Sequence, residues 1–141
     1  MKLELWQLTF DFALVVLIWL VQLIIYPSFK YIPRHDLLNW HQRYVKRMGI
    51  IVVPLMLGQV ALMSLQVFKQ ISSYSVGVLL LVLVQWIITL SFFAPMHQKI
   101  SSDKYSEENL NQLVKTNWIR TVVYTIIFLW GSMKESGLLP S

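Results

Sequence analysis

Long apolar runs separated by short polar stretches dominate the chain, and four of them are long enough to cross a bilayer as helices. A hydrocarbon core of about 30 Å needs about 20 helical residues. Runs of that length cover about 5–26, 48–68, 76–94 and 113–133. The first is expected to stop at Pro27 and the third at Pro95, because proline lacks an N–H and clashes with the preceding turn. Pro54 falls inside the second run and is expected to kink it. Stretches such as Val78-Leu79-Leu80-Leu81-Val82-Leu83-Val84 do not alternate, which argues against the strands of a membrane barrel. Helices satisfy their own backbone in lipid. The pattern predicts an all-α fold: an up-down-up-down bundle of four transmembrane helices, forming one integral membrane domain over 1–141.

The polar stretches refine this. The second helix is expected to begin near Leu37, ahead of the membrane, with Asp36 as its N-cap. The fourth is expected to be capped by Ser106, with Glu107 and Glu108 in the first turn, where the helix dipole favours them. Lys30, Arg34, Arg43, Lys46 and Arg47 cluster around the first loop, and Lys99, Lys104 and Lys115 around the third. Lys2, Lys69 and Lys134 are spread over the opposite side. The positive-inside rule then puts both long loops in the cytoplasm and both termini on the non-cytoplasmic side. This is the layout of a multi-pass protein of the bacterial inner (plasma) membrane. Met1-Lys2-Leu3-Glu4 lacks the basic region of a signal peptide, so the first helix is expected to be retained.

Composition points the same way. The chain is 56% hydrophobic and 13% charged, about half the charged share usual in a soluble domain. With no cysteine, disulfides, thiolate metal sites and cysteine nucleophiles are excluded. The net charge of +5 suits anionic headgroups. Nucleic acid is not expected as a partner, because the basic residues are not interleaved with exposed aromatics.

Polar side chains inside spanning segments are costly and usually face the bundle or a wet cavity. On the first helix Gln22 lies eleven residues beyond Asp11, about 20° past three full turns, and Tyr26 continues that side. His41, Tyr44 and Gln59 share a stripe on the second helix. Gln85 and Thr89 do so on the third, with Trp86 beside them. Asn117, Arg120, Thr121 and Tyr124 follow i, i+3, i+4, i+7 spacing on the fourth. Gln22, Tyr26, His41, Tyr44, His97, Asn117 and Arg120 fall toward the long-loop end, so the stripes predict a pocket opening to the cytoplasm. Gln59, Gln85 and Thr89 are expected to form its floor. Asp11 is expected near the outer interface, a proton-relay role being its minor reading.

Each residue has a plainer alternative. Arg120 could snorkel to the headgroups. Gln22, Gln59 and Gln85 could be interhelical glue. His35 reads as a solvated loop residue, and His41 and His97 could simply bond to loops or headgroups. As functional groups, His41 and His97 suit acid–base chemistry near neutral pH or ligation of haem iron or a divalent metal. No HExxH, no His pair at i, i+4 and no Glu-x-x-His occurs, so no metal site is assigned.

The chain resembles a family of small, uncharacterised bacterial four-helix membrane proteins. The resemblance is carried by Gln22 with Tyr26-Pro27, His41 with Tyr44, Pro54-Leu55-Met56, Pro95-Met96-His97 and Asn117-Trp118-Ile119-Arg120-Thr121. It covers nearly the whole chain and implies architecture, not a reaction. In layout, and at Asn117 and Arg120, the chain is also similar to the membrane family that includes fungal anthrone oxygenases. That similarity transfers no catalytic residues.

The expected function is a membrane enzyme or cofactor-binding protein acting on a lipophilic molecule, with a quinone, an isoprenoid, a polyketide-like aromatic or haem suited to the pocket. His41 and His97 would transfer protons or ligate the cofactor, and Arg120 would hold an anionic or developing oxyanion group. Gln22, Tyr26, Tyr44, Gln59, Gln85, Thr89, Asn117 and Thr121 would bind the substrate. An accessory subunit packed on a larger membrane protein, and a small transporter, are the alternatives.

Overall fold

A computed structural model gives the architecture and describes residues 2–138. Those residues are almost wholly helical, with no strand among them. They form four rods. The first is α1 (Lys2–Leu20), continued by a π-helical turn (Val21–Ile25), the short α2 (Tyr26–Ser28) and a 3-10 turn (Phe29–Tyr31). The second is α3 (Arg34–Lys69). The third is α4 (Ser73–Ile88), a π-helical turn (Thr89–Phe93) and α5 (Ala94–Ser101). The fourth is α6 (Glu107–Glu135).

Neither Pro27 nor Pro95 ends its rod. Each follows a π-helical turn in which a backbone N–H reaches five residues back, from Tyr26 to the Val21 carbonyl and from Ala94 to the Thr89 carbonyl. The wider turn gives the proline ring room beside a carbonyl it would otherwise strike. The helices therefore run on past both prolines and carry Tyr26 and His97 with them. Asp36 is not the cap of α3. The helix starts at Arg34, Pro33 holds the cap position, and Asp36 sits in the first turn with its N–H donating to the Pro33 carbonyl. Ser106 caps α6 through a reciprocal box with Asn109, with Glu107 and Glu108 following in the first turn.

Three rods are long and apolar enough to cross a membrane: Leu3–Tyr31, Arg34–Lys69 and Ser73–Ser101. The fourth long helix, α6, is not among them. Lys115, Asn117, Arg120 and Thr121 dilute its apolar run, and of these Asn117, Arg120 and Thr121 are buried against the other rods.

The rods pack in a square, α1 touching α3 and α6, and α4 touching the same two. One buried layer gathers Leu14, Ile18, Met56, Met63, Val78, Val82, Tyr124 and Ile127. A second, nearer the long loops, gathers Tyr26, Phe29, Leu37, Phe93, Ile100 and Leu113. Where α1 crosses α3, a Cβ on Gly58 would fall inside the Phe10 ring. Gly58→Ala is therefore expected to cost about 1–3 kcal/mol through overpacking. A lowered thermal midpoint in detergent, recovered when Phe10→Ala is added, checks this; an unchanged midpoint in the single variant contradicts it.

Candidate functional site

Phe93, His97 and Ser101 are spaced four apart, on one face of the third rod beyond its π-helical turn. The first rod presents Tyr26 to that face and α3 presents His41. Together they form an unbroken hydrogen-bonded line. The Tyr26 hydroxyl lies 2.9 Å from His97 Nε2, His97 Nδ1 lies 2.9 Å from His41 Nε2, and His41 Nδ1 lies 2.8 Å from Ser101 Oγ. Every ring nitrogen is used. Two proton arrangements satisfy the whole line. In one, each group donates toward Ser101; in the other, each donates toward Tyr26. Interconverting them by hops along the line takes one proton in at one end and releases one at the other, so that all four groups are neutral before and after.

Tyr26 and His97 border a cavity of about 550 Å³ between α3 and the third rod. Most of its wall is apolar, including Leu14, Ile18, Val52, Met56 and Phe93. Exposed Val53 and Leu90 at its rim open it sideways, onto the apolar flank of the bundle. Arg120, Tyr124 and Trp86 also line it. Arg120 is only 7% exposed, and among the described residues no carboxylate pairs with it. Its guanidinium lies 4.6 Å from the Phe93 ring centre, and its charge acts on Tyr26, Tyr44, His97 and Tyr124. Arg120 Nε and Trp86 Nε1 are buried without hydrogen-bond partners, and the buried Tyr124 hydroxyl has the Arg120 guanidinium as its neighbour. Stacking on an aromatic ring is worth about 0.5–2 kcal/mol, whereas desolvating a cation costs several. The wall thus carries positive charge and unused donors.

A clamp closes the long-loop end. Arg34 Nε donates to Asp103 Oδ1 at 2.8 Å, and Arg34 Nη2 donates to the carbonyls of Asp103 and Tyr105. Asp103 adopts a left-handed backbone, with φ of 56°, which its short side chain tolerates. The clamp fixes the loop that follows Ser101.

No family model matches the chain, and no curated protein or solved structure does either.

The structure brings His41, His97, Tyr26, Tyr44, Thr89 and Arg120 together around the cavity and the hydrogen-bonded line. It places the remaining sequence-derived candidates in helix contacts. Asn117 Nδ2 donates to Gln22 Oε1 at 2.9 Å, Thr121 Oγ1 donates to the same oxygen at 3.4 Å, and Gln22 Nε2 donates to the Val114 carbonyl. Gln85 Nε2 donates to the Arg120 carbonyl at 2.9 Å and so holds the backbone that carries the guanidinium. Gln59 does not join this floor. It donates to Asp11 Oδ1 at 2.6 Å, nearer the opposite end. Asp11 is itself only 1% exposed, sealed inside the bundle.

Gln22→Leu is accordingly expected to lower stability by about 1 kcal/mol and to leave ligand content unchanged. Thermal unfolding together with mass spectrometry of the bound fraction checks both parts.

Ser101 and Phe93 were not among the sequence candidates. Their spacing of four on either side of His97 was visible, but Pro95 read as the end of the helix hid it. Among the described residues no group of three or more His, Cys, Asp or Glu side chains gathers in a metal-binding arrangement. His41 and His97 spend on each other the nitrogens that an iron would take. For a metal to take both nitrogens, the rings would have to give up the hydrogen bond that joins them.

Proposed function

We propose that the chain is a multi-pass protein of the bacterial inner membrane that takes a lipophilic, oxygen-bearing molecule from the bilayer and exchanges a proton with it. In this reading α6 is a fourth span, its polar stripe turned away from lipid, and both long loops face the cytoplasm. Arg120 carries the proposal. A buried cation without a counter-ion, in an otherwise apolar cavity, asks for a ligand with an apolar body and an anionic or strongly accepting oxygen. A quinone, a phenolic aromatic or an isoprenoid bearing a carboxylate or phosphate has that chemistry.

Tyr26 is placed to meet such an oxygen, and His97, His41 and Ser101 supply or remove its proton toward the loop end. When Tyr26 gives its proton to the ligand oxygen, His97 Nε2 reprotonates it. His41 then replenishes His97, Ser101 replenishes His41, and water at the loop end returns a proton to Ser101. The sideways opening at Val53 and Leu90 supports entry from lipid rather than from water. The apolar cluster that continues from the cavity wall through Met63, Val78 and Ile127 supports a one-sided site over a transport path.

Extraction of the protein from its membrane in mild detergent, followed by mass spectrometry of an organic extract, tests the proposal. A stoichiometric lipophilic acceptor is expected, and its visible spectrum would separate a quinone or aromatic from haem. Bulk phospholipid alone, at the level found with Arg120→Met, would overturn the proposal.

A further inference from the structure

At the end of the bundle opposite the histidines, a second polar group is sealed inside. Asp11 on α1 is 1% exposed and Gln7, one turn before it, is 2% exposed. Gln7 Nε2 donates to Asp11 Oδ1 at 2.9 Å and Gln59 Nε2 donates to the same oxygen at 2.6 Å. One carboxylate oxygen thus receives two amide donors. The other, Asp11 Oδ2, is buried without a partner, and so is Gln7 Oε1. Both residues line a void of about 10 Å³, together with Gln66, Tyr74 and Gly131. Gly131 keeps this void open. A Cβ there would stand 3.1 Å from the Tyr74 hydroxyl and 3.9 Å from Asp11 Oδ2.

We infer that Asp11 is a proton-binding site, holding a proton on Oδ2 that it shares with Gln7 Oε1. Two acceptor atoms lack partners, and they belong to the two side chains already joined by one hydrogen bond. A proton on Oδ2 turns that single bond into a paired acid–amide contact, with N–H donating one way and O–H the other. It also removes the charge of a carboxylate that no Lys or Arg pairs with among the described residues.

A metal ion fits less well. Glu4 and Glu135 also line the void, but among the described residues no three His, Cys, Asp or Glu side chains come together in an arrangement that could hold a metal ion. The titratable groups facing the site are Glu4 of the same rod, Tyr74 of α4, and Tyr124, Lys134 and Glu135 of α6. From α3 the site receives the uncharged Gln59 and Gln66. The inference does not depend on what occupies the large cavity.

Infrared difference spectra of the whole protein in lipid nanodiscs, wild type against Asp11→Asn, test it over a pH series and with sodium, potassium or calcium present. A protonated-carboxyl stretch is expected to grow in the wild type as the pH is lowered from about 8 to 5. It should shift in deuterium oxide, be absent from Asp11→Asn and not respond to the cations. Asp11→Asn, whose amide can donate to Gln7 as the acid would, should melt with the wild type, and Asp11→Leu should melt lower. The inference is overturned if the stretch is missing, if it is lost on adding a metal cation at fixed pH, or if the Asn variant melts as low as the Leu variant.

Discussion

Arg120→Met is expected to emerge from the membrane without its ligand and, once ligand is stripped from both proteins, to be no less stable than the wild type. The two halves of this result have one cause. In the empty cavity the guanidinium is desolvated and has no carboxylate, only the face of Phe93 and the neutral hydroxyls of Tyr26 and Tyr124 beside it. Methionine fills a similar volume without that cost, and replacing buried charge by apolar groups is neutral or stabilising by about 1–4 kcal/mol. With an oxyanion bound the balance reverses. Losing one partner of a buried charge pair costs about 2–5 kcal/mol, roughly 30-fold or more in affinity. Arg120→Lys keeps the charge but loses the planar fork and the stacking on Phe93, so it should bind with intermediate strength. Ligand per protein by mass spectrometry and melting of the stripped protein measure the two effects. A variant that keeps its ligand and melts lower would make Arg120 a packing residue.

The helices were legible because length and apolar content decide them, and three rods are long and apolar enough to cross a membrane. What the apolar pattern could not show is how a rod absorbs a proline. Pro27 and Pro95 look like stops in a string of residues. Only the widened turns before them, which depend on neighbouring rods holding the chain in place, let the helices continue. That one misreading shortened the third helix by the segment that carries His97 and Ser101. Asp36 misled for a related reason, since Pro33 had already fixed the backbone for a helix start three residues earlier.

The site was half legible. Helical periodicity put Arg120 with Asn117 and Thr121, and Gln85 with Thr89, on single faces, and these faces do turn inward. Periodicity fixes direction, not depth or partner. Gln59 and Gln85 face the same interior, yet one bonds to Asp11 and the other to the backbone of Arg120. Their register is set by packing between rods, such as the close approach of Gly58 to Phe10. His41 and His97 lie 56 residues apart in the chain. That they meet nitrogen to nitrogen follows from two rods and a proline-widened turn, none of which a single segment encodes.

The relay makes the sharpest kinetic expectation. His97→Gln should leave the affinity for the recovered ligand within a few-fold and slow proton exchange with it by about 10²–10⁴-fold, the usual worth of a positioned acid or base. His97 is the only group in the line bonded to both Tyr26 and His41, so its loss breaks two links at once. His41→Ala breaks the line nearer the loops and leaves a ring-sized space beside Ser101. Imidazole added to the buffer should therefore restore much of the rate in His41→Ala and little of it in His97→Gln. Ser101→Ala removes only the end of the line, and a water molecule can take its place, so less than about 10-fold is expected. Stopped-flow mixing of protein and ligand with a pH-sensitive dye gives the rates, and equilibrium titration gives the affinities. If His97→Gln loses affinity and rate in equal measure, the histidine binds the ligand rather than serving its proton. If neither changes, the line of hydrogen bonds only braces the helices.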